Sequence, residues 1–300
     1  MTTPEIQLGR VTVLFGEKNG KYPDGNQVIV QGRDAKAIFD TPLSAHRFSD
    51  RLAGADMVVL GHVHEDHACG LPLLPEVEVF APQADLKALQ SLDGLMAHYS
   101  YAPATERKMR KMVVEDFHFQ PRPEAKGYSD GAVWDLGGTR VRAIHMPGHT
   151  GGHSVLLVEP EGVAFIGDID LTGFGPYYGD ACSNLREFKE TLLRLEQLEA
   201  KAWVTFHHKG VITERATFLS LLRAFTDKIH EREEAMLAFM GDAGSSVEQM
   251  VAHRFLFPRG YEGIFVEDAE RMTVREHLAL LLEQGRIVED GGRYRLRAAG

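Results

Sequence analysis

The chain has 300 residues, 44% of them hydrophobic, enough to bury a sizeable core in one large domain with a small appendage. Its 33 Lys and Arg against 43 Asp and Glu leave a net charge of −10, with no long basic run, so capture of nucleic acid or anionic lipid is disfavoured and a bound cation would be welcome. No apolar stretch approaches the ~18 residues that span a membrane, MTTPEIQLG lacks a leader-like apolar core, and Cys69 and Cys182 are too few for a disulfide framework, so a soluble cytoplasmic protein is expected.

From Ile6 to Thr41 the segments RVTVLFG, VIVQG and AIFDT, parted by Gly-, Pro- and Asp-rich turns, predict antiparallel strands. Asp50–Ala53 reads as the end of a short helix, and MVVLGH as a buried strand that delivers histidines at its C-terminal end. VEVFAP (Val77–Pro82) predicts a further strand. A helical region, polar and irregular, is predicted from Asp85 to about Arg122, where a lid could sit with Met96, Tyr99 and Tyr101 reaching into a cleft. AVWDL, GGTRVRAIHMPGHT, HSVLLVEP and GVAFIGD then predict short strands separated by Gly-containing turns.

Leu185, Phe188, Leu192, Leu195 and Leu198 share one face of a helix predicted over Asn184–Leu198, before a strand at Ala202–Phe206. A long helix is predicted over Glu214–Met240, stopping at Gly241. The tail predicts a helix at Ser246–His253, an amphipathic helix at Thr273–Gln284 stopped by Gly285, and a hairpin in RIVEDGGRYRLR about its Gly-Gly pair. This order predicts a layered α/β sandwich over 1–243, with a helical insertion at about 93–122 and a small winged-helix-like unit over 244–300.

GHVHEDHACG, Gly61–Gly70, sets His62, His64 and His67 with Glu65 and Asp66 at a strand end. Eight of the 14 histidines fall into three groups: this one, 145–153, and 207–208. Imidazole nitrogens with a carboxylate oxygen suit zinc, iron or manganese. Strand alternation points His62 and His64 the same way, and the following turn can bring Asp66 and His67 to a neighbouring position, one pair for each of two metals.

His62-x-His64-x-Asp66-His67 resembles the signature of the metallo-β-lactamase superfamily, and PGHT (Pro147–Thr150), IGD (Ile166–Asp168) and a histidine after a strand resemble its later motifs in order, over roughly Ile6 to Ile212. The resemblance implies an αββα fold with the metal site in the cleft between two sheets. His62, His64 and His149 would bind a first metal, Asp66, His67 and the last histidine a second, with Asp168 bridging. Where the family writes PGH for its last motif, this chain has Phe206-His207-His208; aligning VTF with the family's strand makes His208 the ligand and His207 a neighbour that orients one. His145 and His153 are read as packing or supporting residues, and Cys69 as a small buried one. Two divalent ions are expected, zinc first, with iron or manganese as alternatives. Such a pair lowers the pKa of a bridging water toward neutrality and so supplies a hydroxide nucleophile. Asp66 would be the catalytic residue, both ligand and proton carrier to the leaving group.

Departures from the family narrow the substrate. Glyoxalase II and the persulfide dioxygenases carry a GCGR-like segment where this chain reads GDIDLTGFGPYYGD, and homoserine-lactone lactonases place a tyrosine where Leu171 stands. The chain is also similar to the lactamase-beta-two-like branch, whose winged-helix unit is reached through a pattern matched by His277-Leu278, Leu281 and Gly285. Arginines in the tail (Arg271, Arg275, Arg286, Arg293, Arg295 and Arg297) are offset by seven acidic residues between Glu267 and Asp290, which points to a structural cap or homodimer contact rather than to nucleic acid. Phe174, Tyr177 and Tyr178 are candidates for the pocket wall. The expected function is metal-dependent hydrolysis of an ester, thioester or lactone of a small organic acid. The alternatives are a mononuclear iron, persulfide dioxygenase-like oxidoreductase and a metal-dependent RNA nuclease.

Overall fold

The computed structural model describes residues 4–241 and 243–297; residues 1–3, 242 and 298–300, which the expected domain limits and N-terminal reading include, lie outside the described residues. Two mixed sheets lie face to face. The first orders seven strands in sequence: β1 (Glu5–Leu8), β2 (Val11–Leu14), β3 (Gln27–Gln31), β4 (Lys36–Phe39), β5 (Met57–Val59), β6 (Glu78–Pro82) and β7 (Lys126–Tyr128). Pairing is antiparallel up to β4 and parallel from there to β7. The second sheet runs β13-β12-β11-β10-β9-β8, built from β8 (Val133–Asp135), β9 (Arg140–His145), β10 (Ser154–Glu159), β11 (Val163–Phe165), β12 (Ala202–Val204) and β13 (Val211–Ile212). All its pairs are antiparallel except β11 with β12.

Strand alternation divides the apolar side chains among three layers. Val11, Val13, Val28, Val30, Phe39 and Val59 of the first sheet meet Val141, Leu156, Val158, Phe165 and Val204 of the second. On the outer face of the first sheet, Ile38, Val58 and Val79 pack under α1 (Ser49–Leu52), α2 (Leu86–Gln90), α3 (Leu92–Tyr99) and α4 (Pro103–Glu115), which contribute Leu52, Leu89, Leu95, Met96 and Val113. On the outer face of the second, Val155, Leu157, Ala164 and Trp203 pack under α5 (Leu185–Glu196) and the start of α6 (Arg215–Met240). Trp203 stacks on Phe218 at 4.2 Å between centroids. Each such side chain removed from water contributes about 1.5–3 kcal/mol. α5 forms as its pattern predicts: the Asn184 side chain accepts from Glu187 N, and the predicted apolar face is the buried one.

The stretch expected to be irregular is not. α3 is capped by Ser91, which accepts from Gly94 N, and α4 is a regular 13-residue helix with Pro103 in its first turn. Its polar composition reflects one exposed face, with Met109 and Val113 buried on the other. In the tail, α7 (Val247–His253) opens on a Ser246/Gln249 capping box, and the hairpin of β14 (Ile287–Asp290) and β15 (Arg293–Leu296) turns on Gly291 and Gly292. α8 (Val266–Glu283) begins earlier than the predicted Thr273, with Glu267 and Asp268 in its first turn, where acids suit the helix dipole. Met236, Leu237 and Met240 of α6 join Met250, Val274, Leu278, Leu281 and Ile287 in a separate cluster that docks the tail. Among the described residues no helix is long and apolar enough to cross a membrane.

Candidate metal centre

Every side chain of the centre leaves the C-terminal end of a strand. Past β5, Gly61 N donates to Asp40 Oδ1 at 2.7 Å and Gly61 O accepts from Ser154 N at 2.8 Å, pinning the chain between the two sheets as it enters His62. A single 3-10 turn, Glu65–His67, then swings Asp66 and His67 toward β12. After β9 comes His149, after β11 Asp168, and after β12 His207. Gly148, just before His149, has φ +126°, and a Cβ there would lie 2.3 Å from the Phe188 backbone, so the approach of that loop to α5 requires glycine.

Two groups of potential ligands result. His62, His64, His149 and Asp168 bring one donor atom each within 4.8 Å of one another, and Asp66, His67 and His207 do the same. In the first group His64 Nδ1 is 3.2 Å from His62 Nε2 and 3.1 Å from His149 Nε2. In the second, His207 Nε2 is 3.0 Å from Asp66 Oδ2. Asp168 faces both: Oδ2 lies 3.3 Å from His149 Nε2 and Oδ1 lies 3.0 Å from His67 Nε2.

Opposite ring nitrogens are held from behind. His67 Nδ1 is 2.7 Å from Asp40 Oδ2, His149 Nδ1 is 3.0 Å from Tyr177 O, and His207 Nδ1 is 2.8 Å from Gly20 O. His64 Nε2 stands 3.3 Å from Asp180 Oδ2, and Asp180 Oδ1 accepts from the hydroxyls of Tyr101 and Tyr177. Such partners fix each ring's tautomer and direction. His153 is fully buried and accepts from Asp168 N at 3.3 Å, while His145 contacts Gly151 O. The Cys69 thiol is buried against the Glu65 and Asp66 carbonyls beneath the turn.

These residues fit divalent cations. Three imidazole nitrogens converge around His64 Nδ1, where one proton can bridge only one pair, and His67 Nε2 and Asp168 Oδ1 are buried with no hydrogen-bond partner. Burial pushes His207 down, but Asp168 and Asp66 outweigh it and carry the imidazole to about 9; Asp180 overcomes the same burial at His64, also to about 9. Burial acts upward on Asp168, yet His67 and His207 hold it well below the ordinary carboxylate range. The carboxylates thus draw positive charge to the point where the donors converge, charge that a cation would supply.

The structure corrects two choices made from sequence. His207, not His208, stands with Asp66 and His67; His208 has φ +62° and is only half-buried, so the chain has already turned and its ring falls outside both groups. Tyr178 does not wall the cavity: it is fully buried beneath it, its hydroxyl 2.9 Å from His277 Nε2 and 3.2 Å from Arg232 Nη1. Phe174 and Tyr177 do line the cavity, whose volume is about 390 Å³. Of the side chains expected from the helical insertion, Tyr99 and Tyr101 line it, and Met109 does so where Met96 was expected.

Sequence reasoning missed Asp40, Asp85 and Asp180. Asp85 accepts from Thr150 Oγ1, Gly152 N and Val63 N, tying two of the ligand loops together. It also passed over Glu65, which accepts from the hydroxyls of Tyr22 and Tyr99, and the contribution of Phe257, Pro258, Tyr261 and Phe265 from the tail. Only Asp40 carried a local signal, an acid closing a buried strand.

A family model described as the metallo-beta-lactamase superfamily matches residues 24–223. An atrochrysone carboxyl ACP thioesterase of Pseudocercospora fijiensis is 23% identical over 293 residues, 93% of this chain and 76% of that protein. An acyl-coenzyme A thioesterase of Homo sapiens is 26% identical over 179 residues, 53% of this chain and 64% of that protein. Among solved structures, a metallo-beta-lactamase family protein of Thermus thermophilus superposes with a TM-score of 0.71 at 23% identity, covering 96% of this chain and 99% of that one, a likeness of fold.

Proposed function

The chain belongs to the metallo-beta-lactamase superfamily, and from that premise we propose that it hydrolyses acyl thioesters with two divalent cations, zinc first among them. The observation that carries this reading is Asp168, which turns one carboxylate oxygen to each of two ligand groups in a cavity walled largely by aromatic side chains. His62, His64 and His149 would hold one cation, Asp66, His67 and His207 the other, and Asp168 both. Bound there, divalent cations supply Lewis acidity toward a carbonyl oxygen and lower the pKa of water toward neutrality.

The protein's own groups do the rest. Asp66 Oδ2 borders the cavity, paired with His207 Nε2, and is placed to accept the proton of an attacking water and pass it toward the departing group. A thiol leaving group asks little of such an acid, because its pKa of about 8.5 lets it depart as thiolate near neutral pH. Asp40, Asp180 and the carbonyls of Gly20 and Tyr177 keep the imidazoles aimed, so that no ring must reorient during turnover. Tyr22 and Tyr99 hold Glu65 at the cavity edge by their hydroxyls. Thioesters are favoured over other acyl compounds by the relatives named as acyl carrier and coenzyme A thioesterases, whose substrates share an acyl group on a flexible thiol arm. The tail is read as a winged-helix-like unit docked on the catalytic domain.

The test is thiol release from a panel of acyl-coenzyme A thioesters by protein of measured metal content. Hydrolysis that rises with metal up to about two equivalents supports the proposal. Metal-loaded protein that opens lactones or simple esters while leaving every thioester intact overturns it, as would oxygen uptake at one equivalent of iron.

A further inference from the structure

One end of the cavity belongs to the tail. Phe257, Tyr261 and Phe265, from the connection between α7 and α8, line it together with Tyr101, Met109 and Phe174. None of the six carries a charge. Two pairs of these rings lie nearly parallel, Phe257 and Tyr261 at 5.2 Å and 7° and Tyr101 and Phe265 at 6.5 Å and 14°, while Phe174 is tilted by 47° to Phe257. Leu256, Phe257, Val266 and Ala269 form a small apolar cluster of their own, with Phe174, Tyr177 and Phe265 packed against it.

This wall is braced from outside by polar groups of α6 and α8. The fully buried Glu270 of α8 accepts from the backbone N–H of Phe255, Leu256 and Phe257, the last at 2.7 Å. Arg232 of α6 donates to the carbonyls of Phe174 and Pro176, and its guanidinium lies 5.3 Å from the Phe174 ring centre. Ala102 N donates to Asp268 Oδ1 at 3.2 Å, tying α8 to the start of α4 beside Tyr101. The slot also begins at the metal centre, because the Tyr101 hydroxyl binds the same Asp180 that stands against His64.

A volume of about 390 Å³ is at the small end for a ligand pocket, room for an acyl group but not for a whole coenzyme or carrier. Flat, parallel rings accept another flat ring by offset stacking, and an uncharged slot repels a charged tail. We infer that the connection between α7 and α8 is the specificity-determining wall of the site and receives an uncharged, ring-bearing acyl group, while the thiol carrier stays outside. This rests on the thioesterase reading for the bond that is cut but not for the slot itself.

Two measurements on the metal-loaded full chain test it: kcat and KM for acetyl-, benzoyl- and 2-naphthoyl-coenzyme A, and equilibrium binding of 2-naphthoate and acetate, which needs no turnover. The wild type should favour naphthoyl over acetyl by tenfold or more in kcat/KM, roughly the effect of filling an apolar pocket. Tyr261→Ala, at a residue 42% exposed and so safe for folding, and Phe257→Ala should each raise KM for naphthoyl about tenfold, a much larger change than either makes in KM for acetyl. Phe257→Leu, which keeps the apolar bulk, should restore part of the loss. Equal rates for all three acyl groups, or variants that lower acetyl and naphthoyl alike, overturn the assignment. Hydrolysis of thioesters without ring preference leaves the thioesterase standing and the slot refuted. Tight naphthoate binding that Tyr261→Ala abolishes, with no thioester cleaved, leaves the slot standing and the thioesterase refuted.

Discussion

The side chains around His62 and those around Phe257 border one cavity but are held by opposite means. At the candidate metal centre each ligand-bearing loop comes from a different strand end, between residues 62 and 207, and the rings of His64, His67, His149 and His207 each have a partner beside the far nitrogen. At the tail wall a short continuous segment is fixed through its backbone by one buried carboxylate, Glu270, and the side chains facing the cavity make no polar bond except through tyrosine hydroxyls. The first arrangement tolerates almost no displacement, since direction and donor identity both matter. The second needs only shape and apolar area, so its residues can change size without disturbing the chemistry.

Substitutions can break that contrast, in decreasing order of effect. Asp168→Ala removes the one side chain common to both ligand groups and should lower kcat/KM by roughly 10³-fold or more, with metal per chain falling in parallel by elemental analysis. His207→Ala should cost about 100-fold in metal affinity or rate, whereas His208→Ala should change either by less than about threefold; equal losses in the two would restore His208 as the ligand. Asp180→Asn keeps the hydrogen bonds of Tyr101 and Tyr177 but weakens the hold on His64, and should cost about tenfold in metal affinity by competition with a chelator. Glu270→Gln replaces a charged acceptor of three N–H groups and should weaken naphthoate binding several-fold, about the effect of ~1 kcal/mol, with acetyl turnover unchanged.

A pH effect, the smallest of these, comes from His277, which joins Tyr178 to α8 beneath the cavity floor. Burial, then Arg232 and Lys189, push its imidazole down to about 3. The unfolded chain takes up a proton there below about pH 6.5 and the folded chain does not until far lower, so the folded state loses stability as pH falls through that window. At pH 5.5 the loss is roughly 1 kcal/mol. Denaturant titrations of the wild type and His277→Gln should show this slope in the former and its reduction in the latter; identical slopes would mean that His277 is protonated when folded.

Metal chemistry admits few residue types at tight spacings, which is why His62, His64, Asp66 and His67 stood out in the sequence as a candidate cluster, while His149 and Asp168 entered through the resemblance of PGHT and IGD to the metallo-β-lactamase motifs. Where neighbours in sequence point to opposite sides, sequence could not choose. His207 and His208 differ by one turn of backbone at φ +62°, and Tyr177 and Tyr178 by the side of the loop they occupy. Most strands were readable from periodicity, but the short β7 and β13 were not, α4 hid behind its polar face and the start of α8 behind an acidic first turn. Asp85 and Asp180 act across long separations in the chain, and their roles exist only once the loops have met. The tail wall had no signature at all, because apolar residues in a connection look the same whether they line a cavity or pack beneath a helix.

Asp168, which touches both ligand groups, also makes the centre a fastening. The loops that converge there are distant in the chain, and bringing such loops together costs the unfolded polypeptide an entropy that grows only slowly with their length. A cation that binds only the assembled loops offsets that cost by mass action, by about 2.7 kcal/mol when its concentration is 100 times its dissociation constant. If the proposed cations bind there, a chelator should act as a mild denaturant as well as an inhibitor, and the thermal midpoint of the substrate-free protein should track free metal.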